Sequence, residues 1–401
     1  MWLGIMAVFS GGSLMSQPPP PAVQIAPSNS RTNLVLTTTA RPGYYYTMQS
    51  SSNLSDWTSL NSVYATGEIL SWTNAISTPS GTQFFRAKAD LPNTAVITTY
   101  NDWTNAILLS NGLVQAFIVP SAGRVMQFCF AGTNDGPFWV NSVMVGQTST
   151  ANNWNTTGAF GGDKAWPSPQ TTWADGGWPP PTGFDGEPYT YGFTNGVVTI
   201  TSPVDSSYGI QCTRTIQLLF DEPVMQINTV FHRVSSTFGN PVGIWTITQV
   251  SDPVGIYVPV PLPSNSIFAP TNWLQRESPA TMPPNFTDAN GLVSFTRNTT
   301  SQCEMGFEAG SLAWVGATWS MRIDGPRVAG LTKTNYPNSG CSTSVYTNPD
   351  PVPYCELEFF SPWTNLMVGQ SMAFVTTYNL FNRTESDPTA EALKILGLPA
   401  Q

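Results

Sequence analysis

Residues 107–119 read ILLSNGLVQAFIV. Apolar residues fill both arms, and Asn111-Gly112 stands between them. Asn-Gly supplies the positive-φ positions that a tight hairpin turn needs, so this stretch predicts two antiparallel strands. Outward from it the same grammar repeats: RVMQFCF (124–130), PFWVN (137–141), GVVTITS (196–202), GIQCTRTIQLLF (209–220), VMQINTVFHRV (224–234), GIWTITQV (243–250), GLVSFTR (291–297), LAWVGATW (312–319), TSVYT (343–347), YCELEFF (354–360) and SMAFVTTYNLF (371–381). Helices that would return the chain between parallel strands are missing, which argues against a parallel α/β fold. One helix is expected near the end: Asp387 suits the N-cap, Pro388 the first turn, and Gly397 the C-terminal cap. From 93 to 401 the chain therefore predicts a large antiparallel sandwich.

Upstream, NLVLTTT, YYYTMQSS, WTSLNSVYA, ILSWTNA and TQFFRAKA follow one another with turn residues between them. Strands at this spacing predict a small β-sandwich module over 31–92. Residues 17–30 are Pro-rich and read as an extended linker. The opening WLGIMAVF followed by SGGS matches the apolar core and small-residue end of a secretory signal over 1–16, although no Lys or Arg precedes Arg31. The apolar run falls short of the ~20 residues that a membrane-spanning helix needs.

The 401 residues carry 15 Lys+Arg and 24 Asp+Glu, a formal net charge of -9, and charged residues are only 10% of the chain. An acidic, sparsely charged surface is unsuited to nucleic acid or an anionic membrane, both of which need clustered cations. One histidine excludes a multi-His metal centre. No G-x-S-x-G elbow or Gly-rich phosphate loop occurs, so serine-hydrolase, kinase and dinucleotide readings have no foothold. Neutral-polar surfaces of this kind suit a secreted or periplasmic protein that meets sugars. The five cysteines form no C-x-x-C pair. Folding residues 340–358 at Asn348-Pro349-Asp350-Pro351 brings Cys341 and Cys355 to about the same rung, where a cross-strand disulfide is expected.

Between Gly146 and Tyr191 the strand pattern stops, and the segment is instead rich in Trp, Pro and Gly. Loops this long are usually functional when ordered, and their aromatic content argues for order. The run 153–190 contains GGDKAWPSP; LSNGLVQAFIVPSAGRVMQF precedes it, and GIQCTRTIQL, IWTITQV, YPNSG and YCELEFFSP…VGQSMAF follow. In this order they resemble a bacterial domain family within the galactose-mutarotase-like superfamily, over roughly residues 93–384. The resemblance implies a β-supersandwich with a concave, carbohydrate-binding sheet. The accessory module resembles those of secreted Verrucomicrobia-type proteins. Aldose epimerases of the superfamily carry a late glutamate base, and its place here falls on Glu358, with Glu356 as the alternative. Their histidine motifs have no counterpart around His232.

The residues also speak for themselves. Glu356 and Glu358 alternate with Leu357, so both face one side of a strand, where one could act as general base and their repulsion would raise a pKa. Asp163 and Lys164, one of four lysines, sit after two glycines and could hold sugar hydroxyls or a uronate carboxylate. Trp166, Trp173 and Trp178 offer faces for stacking on a pyranose, or else plug the sandwich end. Arg124 could pair with a site carboxylate or reach substrate oxygens. Asp185 and Glu187, with Asp163, could bind substrate or supply oxygens for Ca²⁺, although their spacing matches no EF-hand and no cofactor is required. His232 is the one imidazole available as acid or base. The expected activity is carbohydrate binding with anomeric-centre chemistry. Polysaccharide binding without turnover is the alternative, and lyase or hydrolase action a third.

Overall fold

The computed structural model describes residues 23–27, 33–40, 44–75, 83–90, 93–150, 159–173, 177–194, 196–219, 222–236, 238–276, 281–328 and 330–399. The expected signal segment 1–16, Trp154 and Asn155 lie outside these residues. The chain divides into two compact units, residues 1–92 and 93–401.

In the first unit six strands form two three-stranded sheets. β1 (Val23–Pro27), β2 (Asn33–Thr39) and β5 (Ile69–Ala75) make one; β4 (Thr58–Tyr64), β3 (Tyr45–Ser51) and β6 (Phe84–Asp90) make the other. Leu36 and Trp72 meet Tyr46 and Met48 in a shared core. Residues 23–27, read as linker, instead pair along their length with β2, Ile25 opposite Leu36. Val23 and Ile25 alternate with Gln24 and Ala26, and the two apolar residues pack on that core.

The second unit is all-β, a sandwich of two ten-stranded antiparallel sheets. The first sheet runs, in spatial order, β18 (Trp273–Gln275), β21 (Cys303–Phe307), β24 (Thr343–Thr347), β25 (Cys355–Phe360), β16 (Gly243–Val250), β11 (Gly162–Ser168), β10 (Arg124–Phe130), β9 (Val114–Val119), β8 (Trp103–Ser110) and β7 (Thr94–Tyr100). The second runs β12 (Thr190–Thr194), β13 (Val197–Val204), β14 (Ile210–Leu218), β15 (Val224–Arg233), β26 (Ser371–Asn382), β23 (Trp319–Asp324), β22 (Ser311–Val315), β17 (Gly255–Pro259), β20 (Leu292–Phe295) and β19 (Thr287–Ala289). Ile118, Phe128 and Leu357 of the first sheet pack with Ile200, Ile227 and Tyr378 of the second in one buried cluster. The hairpin read from Asn111-Gly112 joins β8 to β9, and Asn111 Oδ1 accepts from the amides of Leu113 and Val114. The closing helix, Pro388–Leu396, is capped by Asp387 Oδ1 accepting from Thr389 N, and ends at Gly397 with φ 69°.

Two further expectations change. The 146–191 segment is not free of strands: β11 runs through its middle and pairs along its length with β16. Its sequence hides it. Gly161 and Gly162 take positive φ, and a Cβ at either would run into the backbone of Trp139 or Val125. Pro167 is tolerated because β10 meets β11 only where Val125 faces Asp163, which leaves that flank unpaired further on. The second change concerns the cysteines. Thr347, not Cys341, lies opposite Cys355, because the turn extends through residues 348–354 and moves the hairpin centre. All five thiols are free and buried, and Cys341 packs against Gly306.

Candidate functional site

Residues opposite one another across paired strands share a face. Register therefore sets the outer face of the first sheet. Lys164 faces Ile247, which faces Glu358, which faces Ser344; one rung along, Gln249, Glu356, Tyr346 and Glu304 stand in line; one rung the other way, Trp166, Trp245 and Phe360 do. This face floors a cleft of about 380 Å³, whose walls include Lys164, Trp166, Trp178, Trp245, Glu356 and Glu358. Arg276, Gln302, Glu304, Tyr346 and Tyr354 complete its other end.

The aromatic end is built in layers. Trp173 stands edge-on to Trp166 with ring centroids 5.3 Å apart, and Trp245 does the same from the next strand at 5.3 Å. Trp173 is buried, its Nε1 donating to Pro167 O at 2.8 Å, so it supports the wall without facing the cleft. Trp178 is 47% exposed and stands at the rim, 6.3 Å from Trp166. Trp166 is fixed from behind by its Nε1 donating to Asp185 Oδ2 at 2.8 Å. Asp185 also takes both bonds of a bidentate pair from Arg124 Nη2, at 2.8 and 2.7 Å. Arg124 and Asp185 are thus positioning residues, buried behind the wall.

The polar end carries the charges. Lys164 Nζ lies 3.5 Å from Glu356 Oε1 and 3.9 Å above the Trp166 ring. Burial pushes this ammonium down to about 8 against the pull of Glu356, and Arg124 adds to the fall. Glu356 Oε1 also accepts from Gln249 Nε2 at 2.9 Å. Arg276 Nη1 pairs with Glu304 and donates to Ser344 Oγ at 3.3 Å. Glu358 is 1% exposed, and its Oε2 has no hydrogen-bond partner among the described residues. Burial first, then Glu304 and Glu356, hold its carboxyl well above the usual carboxylate range.

Other residues read from the sequence stand elsewhere. Asp163 faces the space between the sheets, where it pairs with Arg214 and accepts from Thr248 Oγ1 at 2.7 Å and from the Tyr378 hydroxyl. Alternation alone turns it away from Lys164. His232 is exposed on the second sheet, its Nδ1 2.8 Å from Ser371 Oγ, which removes it from cleft chemistry. Glu187 is exposed outside the cleft lining. The oxygens considered for Ca²⁺ are dispersed, since Asp163 and Asp185 each serve a separate arginine. No group of three His, Cys, Asp or Glu side chains suited to a metal occurs among the described residues.

No protein-family model matches the chain, and no curated protein does. Solved structures are similar at low identity. The structure of HI1317 aligns over 73% of this chain and 100% of its own, with 10% identity and a TM-score of 0.42. The galactosidase domain of the α-galactosidase–sucrose kinase AgaSK aligns over 72% of this chain and 42% of its own, with 8% identity and a TM-score of 0.40. A mutant of the heparan sulfate lyase HepC from Pedobacter heparinus covers 49% of this chain and 22% of its own, with 10% identity and a TM-score of 0.19.

Sequence reading missed Arg276, Glu304, Trp245 and Tyr346. Each lies on or beside a strand, but the register that assembles them brings in strands far apart in the chain, Trp166 opposite Trp245 and Trp245 opposite Phe360. Among the described residues no helix is long and apolar enough to cross a membrane.

Proposed function

We propose that this protein binds carbohydrate in the cleft between Trp178 and Glu358 and acts there on the sugar's anomeric centre. The single observation that carries the reading is the pairing, on one sheet face, of an aromatic wall with a buried carboxyl whose Oε2 has no partner among the described residues. Indole faces suit the C–H faces of a pyranose, and carboxyl, amide and hydroxyl groups suit its oxygens. The resemblance of the GGDKAWPSP block to the galactose-mutarotase-like superfamily supports the same reading.

Glu358, held protonated by burial, fits the acid half of ring opening, and Glu356 the base half. Glu356 takes the proton of the anomeric hydroxyl as its oxygen forms the aldehyde. The bond from C1 to the ring oxygen breaks, and Glu358 protonates that oxygen. Rotation about the C1–C2 bond and the reverse steps return the other anomer. A second reading, binding without turnover, is favoured by the Lys164 and Gln249 contacts already made to Glu356 Oε1.

Titration calorimetry with a panel of monosaccharides and disaccharides tests the binding. Saturable heats that Trp178→Ala abolishes support it, and a silent panel overturns it. Exchange NMR between α and β anomers separates the two readings, since the catalytic one requires exchange above background that Glu358→Gln removes. The apolar opening run and neutral surface support export. A signal-cleaved N-terminus in the extracellular or periplasmic fraction would bear this out, whereas an uncleaved cytoplasmic protein would refute it.

A further inference from the structure

Five charged side chains line the cleft among the described residues: Lys164, Arg276, Glu304, Glu356 and Glu358. Lys164 pairs with Glu356 and Arg276 with Glu304, and the pull of these two cations on Glu358 is outweighed by its burial and by the two neighbouring carboxylates. Glu358 is the acid left over. It stands on the rung between Ser344 and Ile247, next to the rung that holds Glu304 and Glu356. Its side chain is almost fully enclosed, and Oε2 has no partner among the described residues. The remaining titratable groups nearby bring no counter-ion: burial pushes the Cys341 thiol up to about 12 and keeps the Tyr354 hydroxyl neutral.

We infer that the cleft selects a sugar carrying a positive charge, an amino sugar whose ammonium group seats on Glu358. This rests on the sugar-binding reading above, in its form without turnover, since a carboxyl that yields its proton to solvent on binding has none left for the ring oxygen, and it names the ligand class. A buried carboxylate without a counter-ion is expensive, so in the empty cleft Glu358 keeps its proton. An ammonium group supplies a positive charge and up to three N–H donors to the Glu358 carboxylate. Glu304 and Glu356 extend the negative field around it. A uronate would instead face three carboxyl groups, with both cations already paired. A neutral sugar would leave Glu358 without a counter-charge. Seating the ammonium ion releases the Glu358 proton to solvent, so one proton leaves per ligand bound.

The test uses the full chain at neutral pH, with D-glucosamine and D-galactosamine, their N-acetyl forms, and the parent hexoses as probes. Calorimetry in two buffers of different ionisation enthalpy reads affinity and proton release together. The expected result is one amino sugar bound roughly tenfold or more tighter than its N-acetyl and parent forms, with about one proton released. Glu358→Gln removes both the preference and the release, while its melting temperature shows that the fold persists. Equal affinity across a set, a preference for the parent sugar, or amino-sugar binding without proton release overturns the inference and leaves sugar binding standing. Absence of binding by every probe overturns both.

Discussion

Asp163 and Lys164 are consecutive residues whose charges serve opposite sides of one sheet. Asp163 crosses the sandwich interior to Arg214, whereas Lys164 lies over Trp166 in the cleft. The first links the two sheets, and the second shapes the floor of the cleft. Asp163→Asn should leave a guanidinium unpaired in the core and cost about 3–5 kcal/mol. Chemical denaturation should show this loss, and combining the change with Arg214→Met should restore much of it.

Lys164 gives the fold an alkaline signature. Its pKa falls from 10.5 to about 8 on folding, so between those values the unfolded chain binds the extra proton. Stability should therefore rise with pH across that window, by roughly 3 kcal/mol in all. Lys164→Met should flatten the rise. Denaturation midpoints at pH 7.5 and 10 for the two proteins, compared by difference, measure it.

Glu358 works in the opposite direction. Its folded pKa is raised above the ordinary 4.5, so its contribution is fully present below that value and is lost as pH climbs towards the folded pKa. Glu358→Gln should stabilise the protein at pH 8, by roughly 1–3 kcal/mol, and give no such gain at pH 4. Paired thermal melts at the two pH values check the sign.

Trp173 and Trp178 should separate stability from binding. Trp173→Ala empties a buried position behind the wall and should cost about 3–5 kcal/mol. Trp178→Ala removes a half-exposed rim residue and should cost about 1 kcal/mol or less, yet abolish measurable sugar binding. Melting curves and titrations on both variants read the two effects.

Cys341 and Cys355 should react as thiols. Cys355 lies opposite Thr347, which places Cys341 several rungs away. Alkylation of the unfolded chain without reductant should modify both residues; a peptide linked through them would contradict the register.

Alternation made most strands legible, because half-buried strands print their period of two in the sequence. The helix after Asp387 was legible through its caps. The strand containing Asp163, Lys164 and Trp166 was not, since glycine and proline at its ends resemble loop. The two glutamates of CELEFF were correctly placed on one face by their spacing. Convergence of Lys164, Trp166 and Trp178 with them follows from the order of strands in the sheet, which no local pattern encodes. Asp163 could have been separated from Lys164 by parity alone once that run was recognised as a strand.

The cleft floor joins Lys164 to Glu356 across β11, β16 and β25, strands drawn from the middle and the end of the chain. A nascent polypeptide that has not yet reached residue 355 has the indoles but neither glutamate. The cleft floor is therefore complete only once residues 355–360 are in place, and a proteolytic nick that releases that strand would remove both glutamates while leaving the indoles behind.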